Sequence, residues 1–296
     1  MSAAARQTPA RVSVIVSTYE NPSALALVLD ALGRQTFPDF ELLVADDGSG
    51  DPTRAVVESF AGRARQVVRH VWQPDQGVRR NTILNRAVLA AAGDYLVFLD
   101  GDCIAPPGWL AAHLAAAAPG WFVSGSKLLL SERLTQALFR GEVRAETLHR
   151  WSPWWREIGK SRRLAMSRLP LVRTLLDFNR RPRCGWVGED SSTWAEHIHR
   201  VGGFDQRFTL VWDDADFCER LKSAGIRGRS IRYRAPVLHL EHGRGYRTDA
   251  DVRRNLDLFL AHRAAGAVAT EHGLALHPAG PTDGPQPEPS SRTTAR

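Results

Sequence analysis

The first hundred residues alternate short, nearly all-apolar runs with amphipathic stretches. Val12-Ser13-Val14-Ile15-Val16-Ser17 predicts a buried strand, and Asn21-Pro22-Ser23 supplies the cap of a helix behind it. Phe40 to Ala45 predicts a second strand ending in Asp46-Asp47-Gly48-Ser49, with a helix from Asp51-Pro52. Gln66 to Trp72 reads as a third strand, Gly77 to Ala92 as a helix, and Tyr95 to Leu99 as a further strand. Strands and helices in turn imply an α/β fold with a mostly parallel sheet and helices on both faces. Ligands then gather at the carboxyl ends of the strands.

Downstream, Trp121 to Leu129 predicts one strand, and Leu134 to about Leu176 two helices separated by Trp151-Ser152-Pro153-Trp154-Trp155. A short strand around Ser192-Thr193-Trp194 and a helix near Glu196 to Arg200 follow. Gly202-Gly203-Phe204-Asp205 makes a turn, Asp214 to Ala224 a helix, and Ile231 to Leu240 reads as a strand. From Pro278 the chain turns to Pro, Gly, Ser and Thr, a composition of disorder.

Composition narrows the partners. The net charge of +7 favours anions: nucleotides, phospholipid head groups, acidic glycans or nucleic acid. Aromatic-rich RNA motifs and zinc patterns are missing, which argues against nucleic acid. Arg140, Arg144, Arg150, Arg156, Arg162 and Arg163 are interleaved with Trp151, Trp154 and Trp155. That mixture suits an anionic membrane surface, or a solvated helical face with its tryptophans turned inward. The apolar run Val12 to Val16 is too short for a signal-peptide core, and three scattered cysteines form no framework. A cytoplasmic protein, at most touching the inner face of the cell membrane, is expected.

Two acidic clusters carry the candidate chemistry. Asp100-Gly101-Asp102 directly follows the Tyr95 strand, where carboxylates suit a hard divalent cation, Mn2+ or Mg2+, bridging to phosphate. Asp102 is the expected direct ligand, with Asp100 reaching ribose or the cation through water. His239, after the last strand, is the expected third ligand, and His242 the lesser alternative. Asp47 can accept the ring N–H of a uracil or serve an ordinary Asp-Gly turn. Thr18, Tyr19 and Glu20 can hold base or ribose, and Arg79 can reach a diphosphate or brace the aspartates. Asp213, Asp214 and Asp216 suit both helix capping and proton transfer. Trp212 suits stacking on a sugar ring or packing in a core.

In order, these motifs resemble family 2 glycosyltransferases of the GT-A fold. The opening strand, Asp46-Asp47-Gly48-Ser49, Gly77 with Arg79 and Asn85, and Asp100-Gly101-Asp102 carry the first part. Gly202-Gly203-Phe204-Asp205 and Trp212-Asp213-Asp214 are similar to the galactosyltransferase-type C-terminal segment. The resemblance implies a Rossmann-like sheet and inverting transfer from a UDP-sugar to a glycan or lipid-linked acceptor. It makes Asp214 the base, with Asp213 positioning hydroxyls and Asp190 on the acceptor side where the family carries Asn. Pattern, composition and motifs together divide the chain into a flexible N-terminus (1–10), a nucleotide-sugar half (11–130), a basic helical insert (131–183) that has no counterpart in the family's motifs, an acceptor half (184–265) and a disordered tail (278–296). The competing readings are a sugar-phosphate nucleotidyltransferase, whose glycine-rich phosphate loop is missing from Ser17 to Asn21, and a non-catalytic scaffold.

Overall fold

The computed structural model describes residues 11–148, 185–209, 211–243 and 248–277. The expected loose N-terminus, the tail and most of the basic insert lie outside the described residues.

Four strands build the first half: β1 (Val12–Thr18), β2 (Glu41–Asp46), β3 (Val68–Trp72) and β4 (Tyr95–Asp100). They pair in parallel in the order β3-β2-β1-β4. Helices α1 (Pro22–Leu32), α2 (Asp51–Ala61) and α3 (Arg80–Ala90) connect them. The Asn21 side chain caps α1 by accepting from the Ala24 N–H, with Pro22 in the first turn. Because strand side chains alternate, Val12, Val14 and Val16 enter one apolar cluster with Leu25 and Leu29 of α1. Ile15 enters the opposite cluster with Ile83 and Leu84 of α3. Burial on both faces is why β1, β2 and β4 read as mainly apolar runs, whereas β3, at the sheet edge, carries Arg69 and His70.

The second half departs from the expected pattern. Trp121 to Leu129 is two strands, β6 (Trp121–Ser124) and β7 (Lys127–Leu129), belonging to different sheets. Ile231 to Leu240 is not one strand either. The strands there are β9 (Arg227–Ser230) and β10 (Val237–His239), with a turn between them. The predicted strand at 192–194 is β8 (Asp190–Trp194), antiparallel to both β4 and β6. Among the described residues the main sheet therefore has seven strands, in the order β3-β2-β1-β4-β8-β6-β9.

A small second sheet carries β5 (Cys103–Ile104), β10 and β7 in the order β5-β10-β7. Its register sets His239 opposite Cys103, and the Leu240 N–H donates to the Asp102 carbonyl at 3.0 Å. Strand pairing thus brings a residue from the end of the fold beside the Asp100–Asp102 turn.

The remaining helices among the described residues are α4 (Trp109–Ala116), α5 (Glu132–Phe139), α6 (Ala145–Leu148), α7 (Ala195–Arg200), α8 (Asp213–Ser223) and α9 (Asp249–Ala264). Helix α8 is anchored by Phe217, whose ring lies 4.8 Å from Trp186 and 4.4 Å from Phe204. Helix α9 was not anticipated, although Thr248 caps it by accepting from the Asp251 N–H. Cys103 and Cys218 are free, buried thiols, as small apolar residues would be.

Candidate active site

A cavity of about 460 Å3 opens at the carboxyl end of the sheet, lined by Thr18, Tyr19, Glu20, Asp47, Arg80, Asp100, Asp102 and His242 among others. Gly101 lies in its wall, 2.7 Å from the Ser17 carbonyl through its N–H. A Cβ there would stand 2.8 Å from that carbonyl, so only glycine lets the turn close on β1.

Asp47 is fixed by the Arg79 N–H at 2.8 Å and by Gln73 at 2.5 Å. Burial raises its carboxyl pKa, and those bonds offset only part of the rise. Its neighbour Asp46 points elsewhere, to the His70 ring and the Ser49 N–H. Tyr19 is exposed and donates to Asp75, while Glu20 accepts from the Gly50 N–H.

Arg79 does not brace the aspartates. Its guanidinium donates to the Pro74 carbonyl, and its hydrogen bond to Asp47 comes from the main chain, the guanidinium charge adding only a favourable field there. Arg79 caps the helix, whereas Arg80 lies one residue inside it and shares a face with Ile83, so both line the cavity. Arg80 donates to Asp100 at 2.7 Å and lies 3.6 Å from Asp213. Burial works against its charge, but Asp100, Asp213 and Asp214 outweigh this and raise its pKa. Helical phase was the signal that separates Arg80 from Arg79.

Asp213 and Asp214 do not line the cavity wall itself; Arg80 links them to it. Asp214 accepts from the Gly188 N–H at 2.9 Å through Oδ2, and its Oδ1 is buried without a hydrogen-bond partner among the described residues. A Cβ on Gly188 would stand 2.5 Å from Asp214 Oδ1 and 3.1 Å from Arg80 Nη2. Burial pushes the Asp214 carboxyl well above the ordinary carboxylate range, and Asp213 adds to it. Glu189, paired with Lys127 at 2.8 Å, pushes the same way. No motif in the sequence marked Glu189 or Lys127. Asp216, the third acid, turns inward to Arg220 at 2.8 Å and His262 at 2.6 Å.

Asp190 is corrected most plainly. It is fully buried, accepting from Trp109 at 2.8 Å, the Ser126 N–H at 2.7 Å and His113 at 2.9 Å. A Cβ on Gly125 would lie 1.9 Å from it. His113 continues to Ser192 at 2.8 Å. This Asp-His-Ser chain resembles a hydrolase triad, but all three residues are sealed from solvent. It ties β8 to α4, and Asp190 does not face an acceptor.

Asp102, His239 and His242 place candidate ligand atoms within 4.8 Å of one another. His242 Nε2 lies 3.0 Å from Asp102 Oδ2 and His239 Nε2 3.8 Å, so the histidine ranked lower by sequence is the nearer. The Nδ1 atoms lie 2.7 Å from the Leu240 carbonyl and 3.0 Å from the Gly243 carbonyl. A carbonyl only accepts, so each Nδ1 donates, and Nε2 is the atom turned to the carboxylate: it donates to Asp102 when protonated and offers its lone pair when a cation takes the proton's place. Burial works to raise the Asp102 carboxyl, yet His242 and His239 prevail and hold it below its usual value. An ionised carboxylate with two imidazoles so oriented fits a divalent cation.

Trp212 precedes the acids with φ +66, and its half-exposed ring stacks on Phe259 at 5.3 Å. It and Glu20 are the non-glycine residues with left-handed φ among those described; Glu20 lines the cavity, and Trp212 directly precedes Asp213 and Asp214. Such strain collects where geometry serves function.

A mostly parallel sheet with acids at its carboxyl end defines the GT-A class of fold. The solved mannosyltransferase PcManGT of Pyrobaculum calidifontis, in complex with GDP-Man and Mn2+, shares it at a TM-score of 0.56 and 22% identity, covering 88% of this chain and 65% of that one. S. aureus TarS shares it at 0.54 and 17%, covering 85% and 39%. The profile of Glycosyl transferase family 2 matches residues 13–127. The validoxylamine A glucosyltransferase of Streptomyces hygroscopicus subsp. jinggangensis is 34% identical over 233 residues, 73% of this chain and 52% of that protein. The chondroitin synthase of Escherichia coli is 26% identical over 262 residues, 84% of this chain and 38% of that one. The chain belongs to glycosyltransferase family 2, and it spans about half the length of the glucosyltransferase or less of the synthase.

Proposed function

We propose that this chain moves a hexose or N-acetylhexosamine from a UDP-sugar to a hydroxyl of a glycan or lipid-linked acceptor, with inversion. The observation that carries the reading is the unpartnered, buried Oδ1 of Asp214 beside a cavity that also holds Arg80 and the Asp102 turn. The acceptor oxygen bonds to the anomeric carbon, its proton passes to Asp214, and the bond to the diphosphate breaks with its electron pair leaving on UDP. Asp213 orients the hydroxyls, and Arg80 sets positive charge at the seam between donor and base. Asp47 faces the base, with Thr18, Tyr19 and Glu20 around the nucleoside. A divalent cation held by Asp102, His239 and His242 would supply charge to offset the diphosphate. The mixed nitrogen and oxygen donors favour manganese over magnesium.

The family 2 match ends before the acids of α8, so likeness to the galactosyltransferase-type segment rests on Gly202-Gly203-Phe204-Asp205 and Trp212-Asp213-Asp214. No described helix is long and apolar enough to cross a membrane. Contact of the basic insert with an anionic membrane is supported by its sequence alone. The test is UDP release from UDP-glucose, UDP-galactose and UDP-N-acetylglucosamine with manganese. Release abolished by EDTA is expected, and release unchanged by EDTA would remove the cation.

A further inference from the structure

Helix α9 is long and polar, and its buried residues are only Asn255 and Phe259, four apart on one face. A face made of one amide and one ring contributes little core. What it touches is the approach to the catalytic acids. The Asn255 amide donates to the Thr209 carbonyl at 2.8 Å and to the Val211 carbonyl at 3.1 Å, and Asn255 is wholly buried. One turn on, the Phe259 ring stacks on Trp212 at an interplanar angle of 21°. A further turn brings His262 Nδ1 to Asp216 at 2.6 Å, inside α8. Between these contacts Trp212 holds its left-handed φ of 66°, and its carbonyl accepts the Asp216 N–H at 2.8 Å to start α8.

We infer that Asn255 is a positioning residue, clamping the carbonyls ahead of Trp212 so that Asp213 and Asp214 are presented to the acceptor. The inference rests on the reading of Asp214 as base. Without the clamp, the Val211 carbonyl loses the Asn255 donor, the Thr209 carbonyl keeps only the Val211 N–H at 2.8 Å, and Trp212 is released to relax toward negative φ. A non-glycine residue gains free energy by that relaxation. The acids at the next two positions then swing with it.

The test uses the full chain with UDP-glucose and manganese, water serving as acceptor. UDP-binding sites are counted by titration, so that misfolded protein drops out. Asn255→Ala is expected to slow UDP release per site by about 10²-fold, the cost of an ångström-scale misplacement, with KM for UDP-glucose unchanged. Asn255→Asp keeps the shape but turns an acceptor toward two carbonyls, and it should behave alike. The fluorine resonance of Trp212 in 5-fluorotryptophan-labelled protein, assigned with Trp212→Phe, should shift in both variants. A wild-type rate per site, or an unmoved resonance, overturns the inference. Should Asp214→Asn release UDP at the wild-type rate, the base reading falls instead, and the Trp212 resonance alone decides Asn255.

Discussion

On the side proposed for the donor, Asp47 and Asp100 stand at the ends of strands flanking β1, and Asp47 takes its bonds from Gln73 and the Arg79 main chain. On the side proposed for the acceptor, Asp213 and Asp214 open a helix whose approach is held by side chains of α9, far downstream. The first arrangement follows from sheet topology, since every β-α unit delivers its carboxyl end to the same edge. The second depends on tertiary contacts of particular residues. Donor-side geometry should therefore tolerate change in side chains that merely pack, and acceptor-side geometry should not.

Gly188→Ala gives a large effect and strikes the Asp214 carboxylate first, with Arg80 Nη2 next at 3.1 Å. The added Cβ would lie 2.5 Å from Asp214 Oδ1, so the carboxylate must move. A fall of about 10²-fold in kcat, with UDP affinity retained in calorimetry, is expected. Next comes the turn of β4. His242→Ala should weaken manganese binding by about 10-fold or more, read as the metal concentration needed for half-maximal UDP release. An unchanged metal requirement would leave His239 and Asp102 to account for the site alone.

Asp190→Ala separates architecture from chemistry. Breaking its buried pair with His113 should cost about 3–5 kcal/mol in denaturant unfolding, while acceptor KM on the remaining folded protein stays put. A selective rise in acceptor KM would return Asp190 to the acceptor site. The smallest effect is a shift in pH dependence. Asp214 must be ionised to take a proton, and burial, then Asp213, raise its pKa. Activity should fall as pH drops through a value well above the ordinary carboxylate range. Asp213→Asn removes the second cause, so that limb should move to lower pH in a profile of kcat/KM.

The same contrast explains what could be read from residues alone. Strands β2 and β4 were legible because burial on both faces leaves a continuous apolar run ended by an acid. Asp213 and Asp214 were legible as acids opening a helix. Arg80 was passed over for Arg79 because one residue of helical phase decides which side chain enters the cavity. Asp190 misled because its donors, Trp109 and His113, lie about eighty residues away, and no local pattern shows them. Ile231 to Leu240 looked like one strand, but residues between Ser230 and Val237 turn the chain from one sheet into the other. Helix α9 buries so little apolar surface that periodicity could not reveal it, and its value lies in contacts 44 to 46 residues back.

The most direct test compares donor binding with transfer on a single preparation of Asp214→Asn. The account requires UDP affinity in the presence of manganese close to wild type, with UDP-sugar turnover lower by about a thousand-fold, within the range for loss of a general base. Turnover at the wild-type rate, or loss of UDP binding in step with turnover, would contradict the assignment of this carboxylate to the proton.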